Sequence, residues 1–212
     1  MSKEVPFHAN SEDGKRCVQA CVWMVLEYFL PQNEYNLESV KSITGYSNNK
    51  GTWEYKYIVG LLKLGLSVAH ISNFNHKKFA DDGYAYLLTV FGKEAADWQR
   101  DNTLSLADEQ LRAKKLVKEG IFKNEEPTLH DLRAALNNGS LIILQINSKK
   151  LNEKPGYLGH SIVVIDQDDD GFFVHDPGLP PIKSRYVSNN TLEEAWADPG
   201  PDAKVAVVIN DS

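Results

Sequence analysis

The sequence contains only two cysteines among 212 residues, and they lie close together at Cys17 and Cys21. Two side chains on one turn of a helix do not readily reach disulfide geometry, so a disulfide framework is excluded. No apolar run approaches the roughly 18 residues that would cross a membrane. The stretch before Cys17 also lacks the apolar segment of a signal peptide. These absences predict a protein that works in a reducing, cytoplasmic compartment with free thiols.

Clusters of positive charge are also missing. The formal net charge is −6, and the lysines and arginines are scattered along the chain. Nucleic acids and anionic membranes attract basic patches, so neither is expected as a partner. Apolar residues make up 42% of the chain and charged residues 25%, which is ordinary for a globular protein. We expect residues 1–212 to form one domain with a substantial core; the oligomeric state is left open.

Helical patterns fill the first part of the chain and strand patterns fill the last part. Amphipathic helices with polar caps dominate residues 1–139, including most of 75–120, and a short strand is predicted at 66–72. The segment 140–212 contains apolar runs of strand length separated by turn residues. Helices followed by strands predict an α+β fold. We therefore expect a helical lobe over about 1–139 and an antiparallel β-sheet lobe over about 140–212.

One helical pattern begins with a cysteine. Almost every residue from Cys17 to Leu30 is apolar, which predicts a helix that is buried on nearly all sides. A helix N-terminus carries partial positive charge, and Lys15 and Arg16 directly precede it, so a thiolate is favoured at Cys17. Cys21 lies one turn further in, where we expect an inert core residue. The alternative is that Cys17, too, is only a small apolar packing residue.

A thiolate nucleophile needs a base, and the chain has six histidines. His160 is the best candidate because it directly precedes an apolar strand pattern. His76 and His130 lie at polar helix starts and are predicted to be at the surface. His70 is predicted to pack inside a strand. His175 is the rival base, but it alternates with its neighbour Asp176 and should point away from the same face.

The segment that follows His160 predicts a β-hairpin whose second strand ends at Asp176. With a turn at 167–169, Val164 pairs with Phe172 and His160 lies opposite Asp176, so the carboxylate can orient the imidazole. A bulge in the acidic turn would shift the pairing by one or two residues without separating the two side chains. The alternative for Asp-Pro-Gly at the end of the hairpin is ordinary turn chemistry.

Metal binding by Cys17, Cys21 and a histidine is a further alternative. A tetrahedral site of this kind needs four ligands, and the sequence offers no second pair of cysteines or histidines with suitable spacing. No metal and no cofactor is therefore expected.

The order of these residues resembles a known class of peptidases. A cysteine at the start of a buried helix, a histidine about 140 residues later on a strand and then an aspartate is the order of papain-like cysteine peptidases. More narrowly, the chain resembles the family 39 cysteine peptidases, the bacteriocin-leader-processing type, and their stand-alone relatives. The matching positions are Cys17, Ala20, Met24, Tyr28 and Phe29 in the helix, and the stretches GHSIVVI and HDPG.

The resemblance implies a papain-like fold with Cys17 as nucleophile, His160 as base and Asp176 as its orienting partner. Family members usually have a glutamine before the cysteine that helps to hold the oxyanion. The nearest candidate here is Asn10, because Gln19 points away along the helix. The implied function is a thiol hydrolase that cleaves an amide bond in a peptide or protein. Acyl transfer or transamidation by the same triad, and a catalytically silent binding module, stay open as alternatives.

Overall fold

A seven-stranded sheet is the largest element of the computed structural model, which describes residues 4–200 and 203–212. The helices are α1 (Cys17–Phe29), α2 (Leu37–Thr44), α3 (Glu54–Lys63), α4 (His76–Asp82), α5 (Tyr84–Asn102), α6 (Leu106–Lys118), α7 (Leu129–Asn137), α8 (Ser148–Leu151) and α9 (Asn189–Trp196). The strands are β1 (Ser67–Ser72), β2 (Phe122–Asn124), β3 (Leu141–Asn147), β4 (Gly159–Gln167), β5 (Gly171–Asp176), β6 (Ile182–Ser188) and β7 (Val205–Asn210).

The sheet confirms the predicted α+β fold and is wider than expected. Its strand order is β2-β1-β7-β3-β4-β5-β6, and every pair is antiparallel except β1 with β2. Two of these strands, β1 and β2, come from the part of the chain before residue 140. The segment predicted as a helical lobe therefore also contributes strands to the sheet. No helix among the described residues is long and apolar enough to cross a membrane.

Both faces of the central strands are buried, which explains the unbroken apolar run of β3. Leu141 and Ile143 belong to the core that surrounds α1, whereas Ile142 and Leu144 belong to a second core beneath α9. Side chains alternate between the two faces of a strand, so each face needs its own apolar set. The helix α1 packs against β4 and is buried along most of its length, as predicted. This contact brings Cys17 towards the start of β4.

The prediction that His76 lies at the surface is wrong. Its Nδ1 atom lies 2.8 Å from the hydroxyl of Tyr55, its Nε2 atom lies 2.8 Å from that of Ser72, and its ring stacks on Phe122 at 3.9 Å. The start of α4 is polar because its other residues face water, but this one side chain turns inward. His70 is buried beside it, as predicted, and His130 is exposed, as predicted.

The two buried histidines are expected to make the fold sensitive to acid. Burial lowers the pKa of His76 to about 2 and that of His70 to about 4. The unfolded chain takes up protons below about pH 6.5, where the folded chain does not. The stability that each residue contributes is therefore present above pH 6.5. It is lost as the pH falls, by about 2 kcal/mol per residue between pH 7 and pH 5.

Urea unfolding of the wild type and of His76→Gln at pH 7 and pH 5 measures this effect. The variant should lose about 2 kcal/mol less than the wild type between the two pH values. An equal loss in both proteins would show that His76 does not remain neutral in the fold.

Candidate active site

Cys17 is a partly exposed residue and is the first residue of α1. Arg16 occupies the N-cap position, and its side chain makes no capping hydrogen bond. The first N–H groups of a helix have no partner within the helix, so they are available beside the thiol. Lys15 and Arg16 were expected to favour a thiolate at Cys17, but their charged groups have other partners. The Lys15 ammonium donates to Asn49 at 3.0 Å, and the Arg16 guanidinium lies over the ring of Tyr46.

His160 connects Cys17 to Asp176. Its Nε2 atom lies 2.8 Å from Oδ1 of Asp176, and both side chains are buried. The imidazole also lies beside the Cys17 thiol, and each group shifts the pKa of the other. Because Nε2 faces the carboxylate, Nδ1 is the nitrogen left for the sulfur. The structure thus brings together the three residues that the sequence singled out, at the start of α1 and at one end of β4 and β5.

The hairpin reaches this arrangement through a register that differs from the predicted one. Val164 pairs with Val174 and not with Phe172, because the turn lies further along the chain than predicted. Next to the turn, Gln167 pairs with Phe172, so odd positions of β4 lie opposite even positions of β5. Between Val164 and Asp166 a bulge inserts one extra residue, which moves the register by one and brings even positions of both strands opposite each other. The pairing before the bulge differs from the predicted one by two residues, an even number. The side chains of His160 and the aspartate at the end of β5 therefore remain on one face of the sheet and meet diagonally.

Asp176 has two further donors that the sequence did not reveal. The N–H of Gly178 donates to its Oδ1 atom at 2.9 Å, and Nη1 of Arg185 donates to Oδ2 at 3.0 Å. A Cβ atom at Gly178 would lie 2.8 Å from that carboxylate oxygen and 3.3 Å from Nε2 of His160. Only glycine lets the backbone pass this close to the two side chains. The glycine in HDPG is therefore the sequence feature that could have indicated a backbone donor to Asp176. Arg185 lies on β6, whose exposed, polar sequence has no clear strand pattern.

The electrostatics of the site favour a thiolate–imidazolium pair. Burial raises the pKa of the Cys17 thiol, but the hydrogen bond and charge of His160 and hydrogen bonds from Ser161 outweigh it, so the pKa lies below its ordinary value. Burial lowers the pKa of His160, but hydrogen bonds to Asp176 and Cys17 and their charges raise it to about 9. Burial likewise raises the pKa of Asp176, and its donors, His160 first, bring it below the usual range.

The other candidates occupy different surroundings. Cys21 is fully buried, and burial raises the pKa of its thiol well above the ordinary value. His175 uses both ring nitrogens away from the site: Nε2 donates to the Val5 carbonyl at 3.1 Å, and Nδ1 accepts from the Ser184 N–H at 3.1 Å. It ties the segment before α1 to β5 and β6.

Asn10 lies at the edge of the site with its amide turned to the loop before α1. Its Oδ1 atom accepts from the Arg16 N–H at 2.7 Å, and Nδ2 donates to the Gly14 carbonyl at 3.0 Å. An amide nitrogen carries two hydrogens, so a second donation from Nδ2 is chemically available. Gln19 is buried and donates to two threonine hydroxyls, away from the thiol.

A cleft of about 240 Å³ opens beside His160 and Asp176. Asn10 and Gly14 lie on one side of it, next to the start of α1. The apolar part of its wall consists of Leu158, Leu179, Pro180 and Ile182. Leu158 is 55% exposed and Leu179 59% exposed, so this rim offers apolar surface to a bound chain. A larger cavity of about 470 Å³ lies between α2, α3 and α6. Its lining does not include Cys17, His160 or Asp176.

Comparison with known proteins supports the fold. No protein-family profile matches the chain, and no curated protein sequence matches it. The peptidase domain of Streptococcus ComA, a bifunctional ABC transporter involved in quorum sensing, superposes with a TM-score of 0.52 and 12% identity, over 99% of this chain and 100% of that domain. A double-glycine-motif protease from an AMS/PCAT transporter, in complex with its leader peptide, gives 0.50 and 12%, over 99% and 93%. The predicted resemblance to family 39 peptidases is confirmed at the level of the papain-like fold.

Proposed function

We propose that the protein is a thiol-dependent hydrolase that cleaves an amide bond in a peptide or protein. Cys17 is the nucleophile, His160 the general base and acid, and Asp176 the group that orients the imidazole. One observation carries this proposal: the His160 ring lies between the Asp176 carboxylate, 2.8 Å away, and the thiol at the start of α1. A thiolate held beside an imidazolium is the reactive form of a cysteine nucleophile.

The reaction follows from the protonation states of the pair. The Cys17 sulfur attacks the carbonyl carbon, a C–S bond forms, and the carbonyl π electrons move to the oxygen. The N–H of Cys17 at the helix start holds that oxyanion, with Asn10 Nδ2 as a proposed second donor. His160 gives its proton to the amine as the C–N bond breaks, which leaves a thioester. The neutral imidazole then takes a proton from water as the water attacks the thioester. The C–S bond breaks, the acid is released, and the thiolate–imidazolium pair is restored.

Two observations favour a peptide as substrate. The exposed apolar side chains beside the cleft, Leu158 and Leu179 among them, suit an extended chain with apolar residues. One of the similar structures described above is a protease in complex with a leader peptide. That complex belongs to another protein, so it supports a peptide substrate here only through the similarity of the folds. The proposal includes a reducing, cytoplasmic setting in which the thiol stays free.

The ion pair is tested by alkylation of the native protein with iodoacetamide at pH 5 to pH 10, with mass spectrometry at each cysteine. Cys17 should react at least about tenfold faster than Cys21 at pH 7, because its thiolate is populated there. The matched variant His160→Gln removes the positive partner and should move the reaction of Cys17 to alkaline pH, since the thiol pKa then rises.

Slow labelling of both cysteines that rises only above pH 8 would contradict the proposal and favour the silent binding module. Equal pH dependence in the wild type and in His160→Gln would show that the imidazole does not activate the thiol.

A further inference from the structure

Arg185 joins the buried carboxylate of the site to the wall of its cleft. Its Nη1 atom donates to Oδ2 of Asp176 and to Oδ1 of Asn152, each at 3.0 Å. Its Nη2 atom donates to the carbonyl of Leu151 at 2.7 Å. The guanidinium therefore binds three acceptors, which come from the end of β5 and from the end of α8. A planar fork of donors suits such a set of acceptors, and a lysine ammonium does not reproduce it.

We propose that Arg185 is a positioning residue for the hydrolysis: it fixes the Asp176 carboxylate in the orientation that holds His160 towards Cys17. This inference rests on the proposed function. The two carboxylate oxygens have different hydrogen-bond partners: Oδ1 bonds to Nε2 of His160 and to the Gly178 N–H, and Oδ2 bonds to Arg185. With both oxygens held, the carboxylate cannot rotate and release the ring.

The local structure of β6 places the guanidinium where this contact is possible. Arg185 pairs with Val174, and Ile182 pairs with Asp176, so β6 has one residue more than β5 between these pairs. Val174 and Asp176 share a face of the strand, which puts Arg185 diagonally beside the carboxylate.

The extra residue lies next to a backbone conformation that a side chain rarely adopts. Ser184 has φ of 51°, in the left-handed region, and its N–H donates to Nδ1 of His175 at 3.1 Å. Backbone strain beside a reactive group persists where the surroundings hold it in place. His175 therefore helps to maintain the irregular strand that presents Arg185 to the carboxylate.

Among the described residues, the titratable and charged groups that interact with Asp176 are His160 on β4, Arg185 on β6 and Cys21 on α1, with Cys17 beyond the imidazole. Loss of the guanidinium removes a positive charge and leaves Oδ2 without this donor in a buried position. The pKa of Asp176 then rises, and its protonation at mildly acid pH releases the imidazole.

The test compares Arg185→Met and Arg185→Lys with the wild type by the pH dependence of iodoacetamide labelling at Cys17. Arg133→Met is the matched control, because Arg133 also donates to two carbonyls and an asparagine oxygen but at the far end of the hairpin. Arg185→Met should shift the acid limb of Cys17 labelling to higher pH by about half a unit, which is about a threefold loss of rate on that limb. Arg185→Lys should shift it less, since the charge remains. Added guanidinium ion should restore the wild-type limb in Arg185→Ala.

The outcomes separate the two proposals. If wild-type Cys17 labels readily at pH 7 and Arg185→Met has the same acid limb as Arg133→Met, the positioning role is overturned and the proposed function stands. If wild-type Cys17 labels only above pH 8, both proposals fall. Should Arg185→Met not fold, an unchanged limb in Arg185→Lys together with no response of Arg185→Ala to guanidinium also overturns the positioning role.

Discussion

Replacement of Cys17 by alanine is expected to abolish peptide hydrolysis while the protein stays folded. The sulfur is the proposed nucleophile, and without it no thioester forms, so the rate should fall by at least about 10³-fold. His160→Gln should have a comparable effect, and the double variant should be little worse than either one, because residues that act as a unit are not additive. Cleavage of a peptide library, read by mass spectrometry, measures these rates.

Thermal melting supplies the control for this experiment. Cys17 is partly exposed at the start of α1, so removal of its sulfur leaves no deep cavity, and the melting temperature should stay near that of the wild type. Hydrolysis that persists in Cys17→Ala would rule out this residue as the nucleophile. Hydrolysis that disappears only because the variant unfolds would show in the melt.

The second large effect is expected at the neighbouring thiol. Cys21 is 0% exposed and belongs to the core between α1 and the sheet, and burial raises the pKa of its own thiol well above the ordinary value. An aspartate there must bury a charge without a partner or take up a proton, so Cys21→Asp should lower the free energy of unfolding by several kcal/mol, about 3 or more. Urea unfolding or a thermal melt measures it.

Cys21→Ala is the conservative comparison, since it removes the sulfur and introduces no polar group. It should destabilise far less than Cys21→Asp and leave Cys17 labelling unchanged. If Cys17→Ala melted well below the wild type while Cys21→Asp did not, the assignments of the reactive and the structural cysteine would be reversed.

Periodicity explains why much of the site could be predicted from the sequence. The apolar run from Cys17 can be buried on all sides only as a core helix, and the structure ends that helix at Phe29. The contact between His160 and Asp176 depends on an even interval along a hairpin. The turn lies elsewhere than predicted, and the bulge between Val164 and Asp166 brings the two positions back to a common face.

The features that could not be predicted depend on single side-chain directions or on tertiary contacts. The strand β6 is mostly exposed and has no alternation, so nothing in its sequence marked Arg185 as a partner of Asp176. His76 follows a helix cap among polar residues, and only its rotation towards Phe122 buries it. The guanidinium of Arg16 lies over the ring of Tyr46 and not beside the thiol, and this contact depends on a residue 30 positions away in the sequence.

The bond between His175 and the Val5 carbonyl spans 170 positions of the chain, and the Asn10 N–H likewise bonds to the Pro177 carbonyl at 2.8 Å. A ribosome makes the chain from its N-terminus, so Cys17 leaves the exit tunnel long before β4, the strand that carries His160. Until β4 and β5 have been made and paired, the thiol has no imidazole beside it and has the low reactivity of an ordinary cysteine at neutral pH. The proposed nucleophile is therefore expected to gain its reactivity only after β4 and β5 have been made, and a nascent chain that ends before them should carry an ordinary thiol.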